Sequence, residues 1–237
     1  GIADANGKVV MDSLRLALPK FKVKTGDSNL VFAYRMDMNA FDAVNPGEFS
    51  FLGEGRIGKD DLIYFTRMGG EGTRDVTAVM AQRLPSLPSV LQVKADGNLE
   101  SLCVDTLYFE VPDLLTVEGD AQLFDLTSDL SLQACVKAFD THGALVDVDG
   151  SFAMGTETYA AQVLIDSLVV NHYVALSDTA LFTGDVAVQG TGLDFFMPST
   201  KLQATANLRN SRFGQVNLDN IMAEATMEGS LVQCEVS

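Results

Sequence analysis

The chain has 237 residues, enough for one large β domain or two small ones with a substantial core. Its 47% hydrophobic and 20% charged content excludes a disordered polymer. Sixteen Lys and Arg stand against 32 Asp and Glu, a formal charge of -16; that balance repels phosphate backbones and anionic lipid surfaces and argues against nucleic acid as a partner.

From the N-terminus onward, apolar residues alternate with polar ones at a period of two. Leu30, Phe32, Tyr34, Met36 and Met38 share one face, as residues two apart do on a strand. The same holds for Leu130 to Ala138, Val146 to Met154, Tyr159 to Ile165, and Leu202 to Leu208. Between these runs lie turn signals: Lys24-Thr25-Gly26-Asp27, Asn45-Pro46-Gly47, Ala95-Asp96-Gly97-Asn98, Glu118-Gly119-Asp120, Asp140-Thr141-His142-Gly143 and Arg209-Asn210-Ser211. Their spacing suits hairpins and meanders, and no βαβ alternation appears, which disfavours a parallel nucleotide-binding sheet.

One stretch breaks this rhythm. Lys59 to Phe65 opens with acidic residues and places Leu62, Ile63 and Phe65 on one side, and Arg74 to Leu84 reads as a second helix stopped by Pro85, with a flexible Gly69-Gly70-Glu71-Gly72 joint between them. The Pro-rich segment Leu84 to Pro88 is the best boundary. It predicts a first β repeat unit over 1–88, with a helical insertion near 59–84, and a larger β region over 89–237.

The two sides of that boundary are self-similar. Asp12-Ser13-Leu14 to Pro19 matches Asp105-Thr106-Leu107 to Pro112, and Gly26-Asp27 matches Gly119-Asp120, at a constant shift of 93 residues. The Asp-Ser-Leu element returns at Asp166 to Leu168, followed by Gly184-Asp185, and more weakly at Asp219-Asn220-Ile221. Its Asp and hydroxyl can satisfy backbone groups at a strand's entry while the alternate residues beyond go to the covered face. Pro19 and Pro112 then bend the strand or end its pairing, because proline donates no ladder hydrogen bond.

Groups that carry chemistry are scarce. His142 and His172 read as a turn histidine and a strand-end histidine, leaving little material for a catalytic triad or a metal cluster. Cys103, Cys135 and Cys234 lack ligand-like spacing and read as small buried hydrophobes. Asp60-Asp61, Asp147 with Asp149, and Asp125 with Asp129 read as solvated surface instead of a glycosidase pair or a calcium loop. Gly190-Thr191-Gly192 lacks the Lys-Ser/Thr of a phosphate loop and reads as a turn. Phe195-Phe196 reads as core. No enzyme activity, cofactor or metal is expected.

Residues Asp166 to Tyr173 and Gly184 to Phe196 resemble envelope proteins of the TamB and AsmA-like group. So do Gly97 to Leu102 with Asp105 to Leu107, and Met38 to Asp42 with Asn45 to Gly47. The resemblance implies a periplasmic segment of a long protein anchored at the inner membrane of a double-membraned bacterium. Its repeats would form an elongated, U-shaped β groove of the β-taco kind, whose apolar interior carries phospholipid acyl chains toward the outer membrane. Its partners would be those chains, adjacent repeats of the same chain, and outer-membrane assembly proteins.

The residues by themselves predict an all-β, internally repeated antiparallel meander with one or two short helices, and they leave two fates for its apolar face. That face is an open groove, or it is closed in a β-sandwich and serves as a structural or protein-interaction module. The expected groove lining is Leu107, Phe109, Val117, Val136, Val148, Phe152, Val163, Ile165, Val186 and Leu202.

Overall fold

The computed structural model describes residues 2–42, 44–67, 84–173, 176–194, 197–229 and 231–237. The fold is nearly all-β, an antiparallel meander with one short α-helix among the described residues. The chain divides into two compact units, Gly1–Asp120 and Ala121–Ser237.

The first unit holds β1 (Asp4–Met11), β2 (Arg15–Lys24), β3 (Asn29–Asp37), β4 (Phe49–Ile57), the helix α1 (Lys59–Arg67), β5 (Ser89–Gly97) and β6 (Ser101–Val111). Each strand pairs antiparallel with the next in the chain. The division between units falls inside β7 (Leu115–Phe124). The second unit continues as β8 (Ser131–Asp140), β9 (Leu145–Ala153), β10 (Thr158–Val169), β11 (Ala180–Thr191), β12 (Lys201–Leu208), the short strands β13 (Ser211–Phe213) and β14 (Val216–Leu218), β15 (Ile221–Glu228) and β16 (Leu231–Val236). Strands β8 to β12 pair in chain order, β12 pairs with β15 and β15 with β16, while the β13–β14 hairpin attaches to the start of β11.

Local chemistry explains the corners. The carboxylate of Asp12 accepts from the N–H groups of Leu14 and Arg15, both at 2.8 Å, and closes the β1–β2 turn. The amide oxygen of Asn98 does the same for Glu100 and Ser101 between β5 and β6. Helix α1 begins where three side chains of the β2–β3 turn meet its first residues. Ser28 Oγ accepts from the N–H of Gly58, Asp27 accepts from that of Asp60, and Asp61 takes the hydroxyls of Ser28 and Thr25. Those hydroxyl bonds, Ser28 first, hold the Asp61 carboxyl below its ordinary pKa. Ser28 and Asp27 thus take N–H groups at the start of the helix, and Asp60 and Asp61 lie in its first turn, where a negative charge suits the helix dipole.

Three β-bulges keep the apolar residues on one face. Leu18 and Phe21, Val104 and Leu107, and Ile165 and Leu168 are each three residues apart, an odd spacing that would throw the second member to the opposite face. In each case the strand carries one extra residue against its partner, and both members end on the same side. The inserted segments are Pro19-Lys20, Asp105-Thr106 and Asp166-Ser167, and Ser167 has φ 56°. The repeated Asp-hydroxyl-Leu element thus marks a bulge in β6 and β10, and a turn before β2 and β15.

Full burial sits at strand ends and connections: Ala40, Ile57, Leu84 and Val111 in the first unit, and Ala144, Ala180 and Met227 in the second. Most mid-strand side chains on the apolar face of β2 to β12 are half-buried, whereas β1 and β16 are exposed along their whole length. In each unit all strands belong to one sheet, and among the described residues no second sheet covers it, so the sandwich alternative is set aside.

Several local expectations need correction. Glu118-Gly119-Asp120 runs inside β7, and Gly190-Thr191 closes β11, because flanking β-formers carry these residues through as strand. The cysteines are not core residues: Cys103 and Cys135 are half-buried on the polar face, 3.1 Å and 3.2 Å from the carboxylates of Asp105 and Asp149, and Cys234 is exposed on the last strand. The expected helix over 74–84, except Leu84, and the segments 69–72 and 195–196 lie outside the described residues.

Glycine fits the apolar face where a bulky neighbour occupies the space above it. A Cβ at Gly190 would meet the hydroxyl of Tyr159 and lie 2.6 Å from the carbonyl oxygen of Lys201, whereas one at Gly150 would meet nothing nearer than 3.6 Å. Gly190→Ala is therefore expected to destabilise the second unit by about 1–3 kcal/mol, while Gly150→Ala is neutral or stabilising by up to about 1 kcal/mol. Thermal melts of the two variants check the contrast; equal shifts would contradict it.

Candidate functional site

The regular pairing of the second unit turns alternation along each strand into rows across strands. Val136, Val148, Val163, Val186, Ala206 and Ala223 are successive cross-strand partners from β8 to β15, one per strand. A parallel row runs Leu132, Phe152, Tyr159, Gly190, Leu202, Met227. Between them lies a row of small residues, Ala134, Gly150, Ala161, Val188, Ala204 and Ala225. All share one face, and all but Met227 are half-buried.

Seven of the ten expected lining residues meet here. Val136, Val148, Val163 and Val186 form one row, Ile165 stands in the next beside Val146 and Gly184, and Phe152 and Leu202 belong to the aromatic row. In the first unit, Leu107 and Phe109 of β6 face Val93 and Leu91 of β5, all half-buried. The rings of Phe21, Phe32 and Phe51 succeed one another across β2 to β4, with centroids 5.2 Å and 6.1 Å apart. Val117 is half-buried on β7.

The second unit also carries a depression of about 750 Å³. Three neighbouring rows line it: Gln133, Ser151, Ala160, Gln189, Gln203, Thr226; the apolar row Leu132, Phe152, Tyr159, Gly190, Leu202, Met227; and Ser131, Ala153, Thr158, Thr191, Lys201, Glu228. A second depression of about 510 Å³ shares Ser151, Ala160, Gln189 and Gln203 and extends to Asp149, Gln162 and Thr205.

A polar corner escaped sequence reading. Asp140, at the end of β8, has a side chain only 2% exposed. Its carboxylate accepts the N–H groups of His142 and Ala144 at 2.8 Å and the Tyr173 hydroxyl at 3.0 Å, and it stands 3.6 Å from Nδ1 of His172. The rings of His142 and His172 are 4.1 Å apart between centroids. No local signal links residues 30 apart in sequence; they meet because the β8–β9 turn and the β10–β11 connection lie at the same end of the meander. Burial alone would raise the Asp140 pKa, but the Ala144 N–H, the Tyr173 hydroxyl, the His142 N–H and His172 together hold it below the ordinary value. Burial, and then Asp140, push the Tyr173 phenol up.

Among the described residues, no group of three or more His, Cys, Asp or Glu is placed to hold a metal ion, and no helix is long and apolar enough to cross a membrane. Comparison of the chain with protein-family models, curated proteins and solved structures finds no match.

A carboxyl whose folded pKa is depressed contributes stability that is complete above its unfolded value, 3.8 for Asp140, and is lost as pH falls through the lower folded value. Asp140→Asn is therefore expected to cost about 1–3 kcal/mol at neutral pH, with the gap to the wild type closing below about pH 4. Urea melts across pH check this. A gap that stays constant into acid would show that the charge does not hold the corner.

Proposed function

We propose that the apolar rows of the second unit bind the acyl chains of phospholipid, without catalysis. The chain would then act as a periplasmic segment of a longer lipid-conducting protein of the bacterial envelope. The observation that carries this reading is the run Val136, Val148, Val163, Val186, Ala206, Ala223: similar apolar side chains, one per strand, half-exposed and uncovered by a second sheet. Strands are spaced about 4.8 Å apart, so a hydrocarbon chain laid along the row meets nearly equivalent contacts at each step. Each methylene removed from water contributes about 0.8 kcal/mol, and the sameness of the steps lets a chain slide without a deep trap. The resemblance of Asp166 to Tyr173 and Gly184 to Phe196 to TamB and AsmA-like proteins supports the same reading, including further repeats and outer-membrane assembly proteins as partners.

A second reading treats this face as a docking surface for another protein of the envelope. It is favoured by the position of the two depressions described above, neither of which is lined by the row Val136 to Ala223.

Photocrosslinkers placed at Phe152 and Val163, with Asp149 on the opposite face as control, separate the readings. Labelled phospholipid is expected to react at the first two and not at the third, and Val163→Arg should cut labelling at Phe152 by about tenfold, because a charge in the row must be desolvated for a chain to pass. Equal labelling at all three positions would overturn the lipid reading, and protein adducts confined to Phe152 and Val163 would establish docking.

A further inference from the structure

The net charge of the chain hides its distribution. Four of its sixteen Lys and Arg, namely Lys8, Lys20, Lys22 and Lys24, stand together on one face of β1 and β2, the face opposite Phe21 and Val23. The bulge at Pro19-Lys20 leaves Lys20 directly across from Lys8, and like charges so placed oppose strand pairing. Among the described residues none of the four lysines has a carboxylate within ion-pair distance, whereas Arg15, Arg35 and Lys94 of the same unit are each paired with an aspartate. On β1 to β4 this face also carries Asp4, Glu54 and the already paired Asp37, and one further cation, Arg56. The adjoining strand presents short aliphatic groups, Val31 opposite Lys22 and Ala33 next along, over which lysine stems can lie while their ammonium groups reach solvent. On the same face Val10 is 42% and Leu52 51% exposed, and Leu52 helps to line, with Ala17, Pro19 and Ala33, a depression of about 380 Å³.

We propose that this face of the first unit docks on a bilayer surface rich in anionic phospholipid. The backbone positions of Lys20, Lys22 and Lys24 recur about every 7 Å along β2, with Lys8 about 5 Å across from Lys20. A lone phosphate meets one or two of them; an array of headgroups meets all four and relieves the opposition of Lys8 and Lys20. The exposed aliphatic groups beside them favour such a surface over a soluble polyanion, because they gain by sinking among the headgroups. The acidity of the whole chain does not forbid the contact. Exposed charges more than about 10 Å away are screened at ordinary ionic strength, so the groups at the surface decide, and each lysine there strengthens binding about fivefold. The face is turned away from the unit's own apolar side chains, and docking on it does not depend on the acyl-chain rows of the second unit.

The test is co-sedimentation of the full chain with vesicles of phosphatidylcholine alone or with about one-third phosphatidylglycerol. Binding is expected to the mixed vesicles only, and to fall away as salt is raised to about 0.5 M. Lys20→Gln/Lys22→Gln should weaken it about thirtyfold, whereas Lys137→Gln/Lys201→Gln, the same change of net charge made on the second unit, leaves it unchanged. The first pair is expected to melt at or above the wild-type temperature, since it removes the opposed like charges, and that melt shows that it folds. Leu52→Ser should weaken binding severalfold, and soluble polyglutamate at equal charge should not displace the vesicles. No binding to the mixed vesicles, equal binding to both kinds, equal loss in the two double variants, or displacement by polyglutamate, which would make the ligand an acidic peptide, would each overturn the proposal.

Discussion

The structure depends on keeping phase. A strand has two faces, and one residue gained or lost exchanges them along everything that follows. With so little fully buried mid-strand, no tightly packed core stands ready to correct a slip. The correction is instead local and covalent: an extra residue at Pro19-Lys20, Asp105-Thr106 and Asp166-Ser167 absorbs an odd spacing and returns the next apolar side chain to its face. The insertions return Phe21, Leu107 and Leu168 to the apolar face, while the rows of the second unit rest on pairing that runs from β8 to β15 without a shift across Tyr159 to Val163.

This accounts for what the sequence discloses and what it withholds. Strand positions are legible because alternation is a property of one strand; Val146, Val148 and Phe152 lie on one face as their spacing predicts. Rows are not legible, since the pairing of Val163 with Val186 instead of Val188 is set by turn length and by the bulge near Ser167. Turns were readable where a side chain closes them, as at Thr25 and Asp140, and misread at Glu118-Gly119-Asp120, where composition resembles a turn but the neighbouring Val117, Ala121 and Leu123 continue the strand. The Asp140, His142, His172 and Tyr173 corner was hidden because proximity there follows from topology, not from any local pattern.

The two faces of the second unit have opposite chemistry on the same backbone. On one, half-exposed hydrocarbon repeats from strand to strand; on the other stand amides, hydroxyls and charged groups, among them the pairs Lys137 with Asp147 and Lys201 with Glu228. Because each residue belongs wholly to one face, substitutions on the two can be made independently, provided glycines under a bulky neighbour are respected. The buried residues at the strand ends of this unit, Ala144 and Ala180 among them, hold the connections while leaving both faces accessible.

Pairing in chain order has a kinetic consequence. Nearly every strand of each unit is bonded to its immediate predecessor, so contacts form between residues close in sequence and little loop entropy opposes each addition. Such a sheet can grow by successive hairpins from any formed pair, with stability accumulating roughly strand by strand as in a one-dimensional array. It would also fray from its outermost strand inward, so that protection of amide hydrogens against exchange should be graded along each unit instead of uniform.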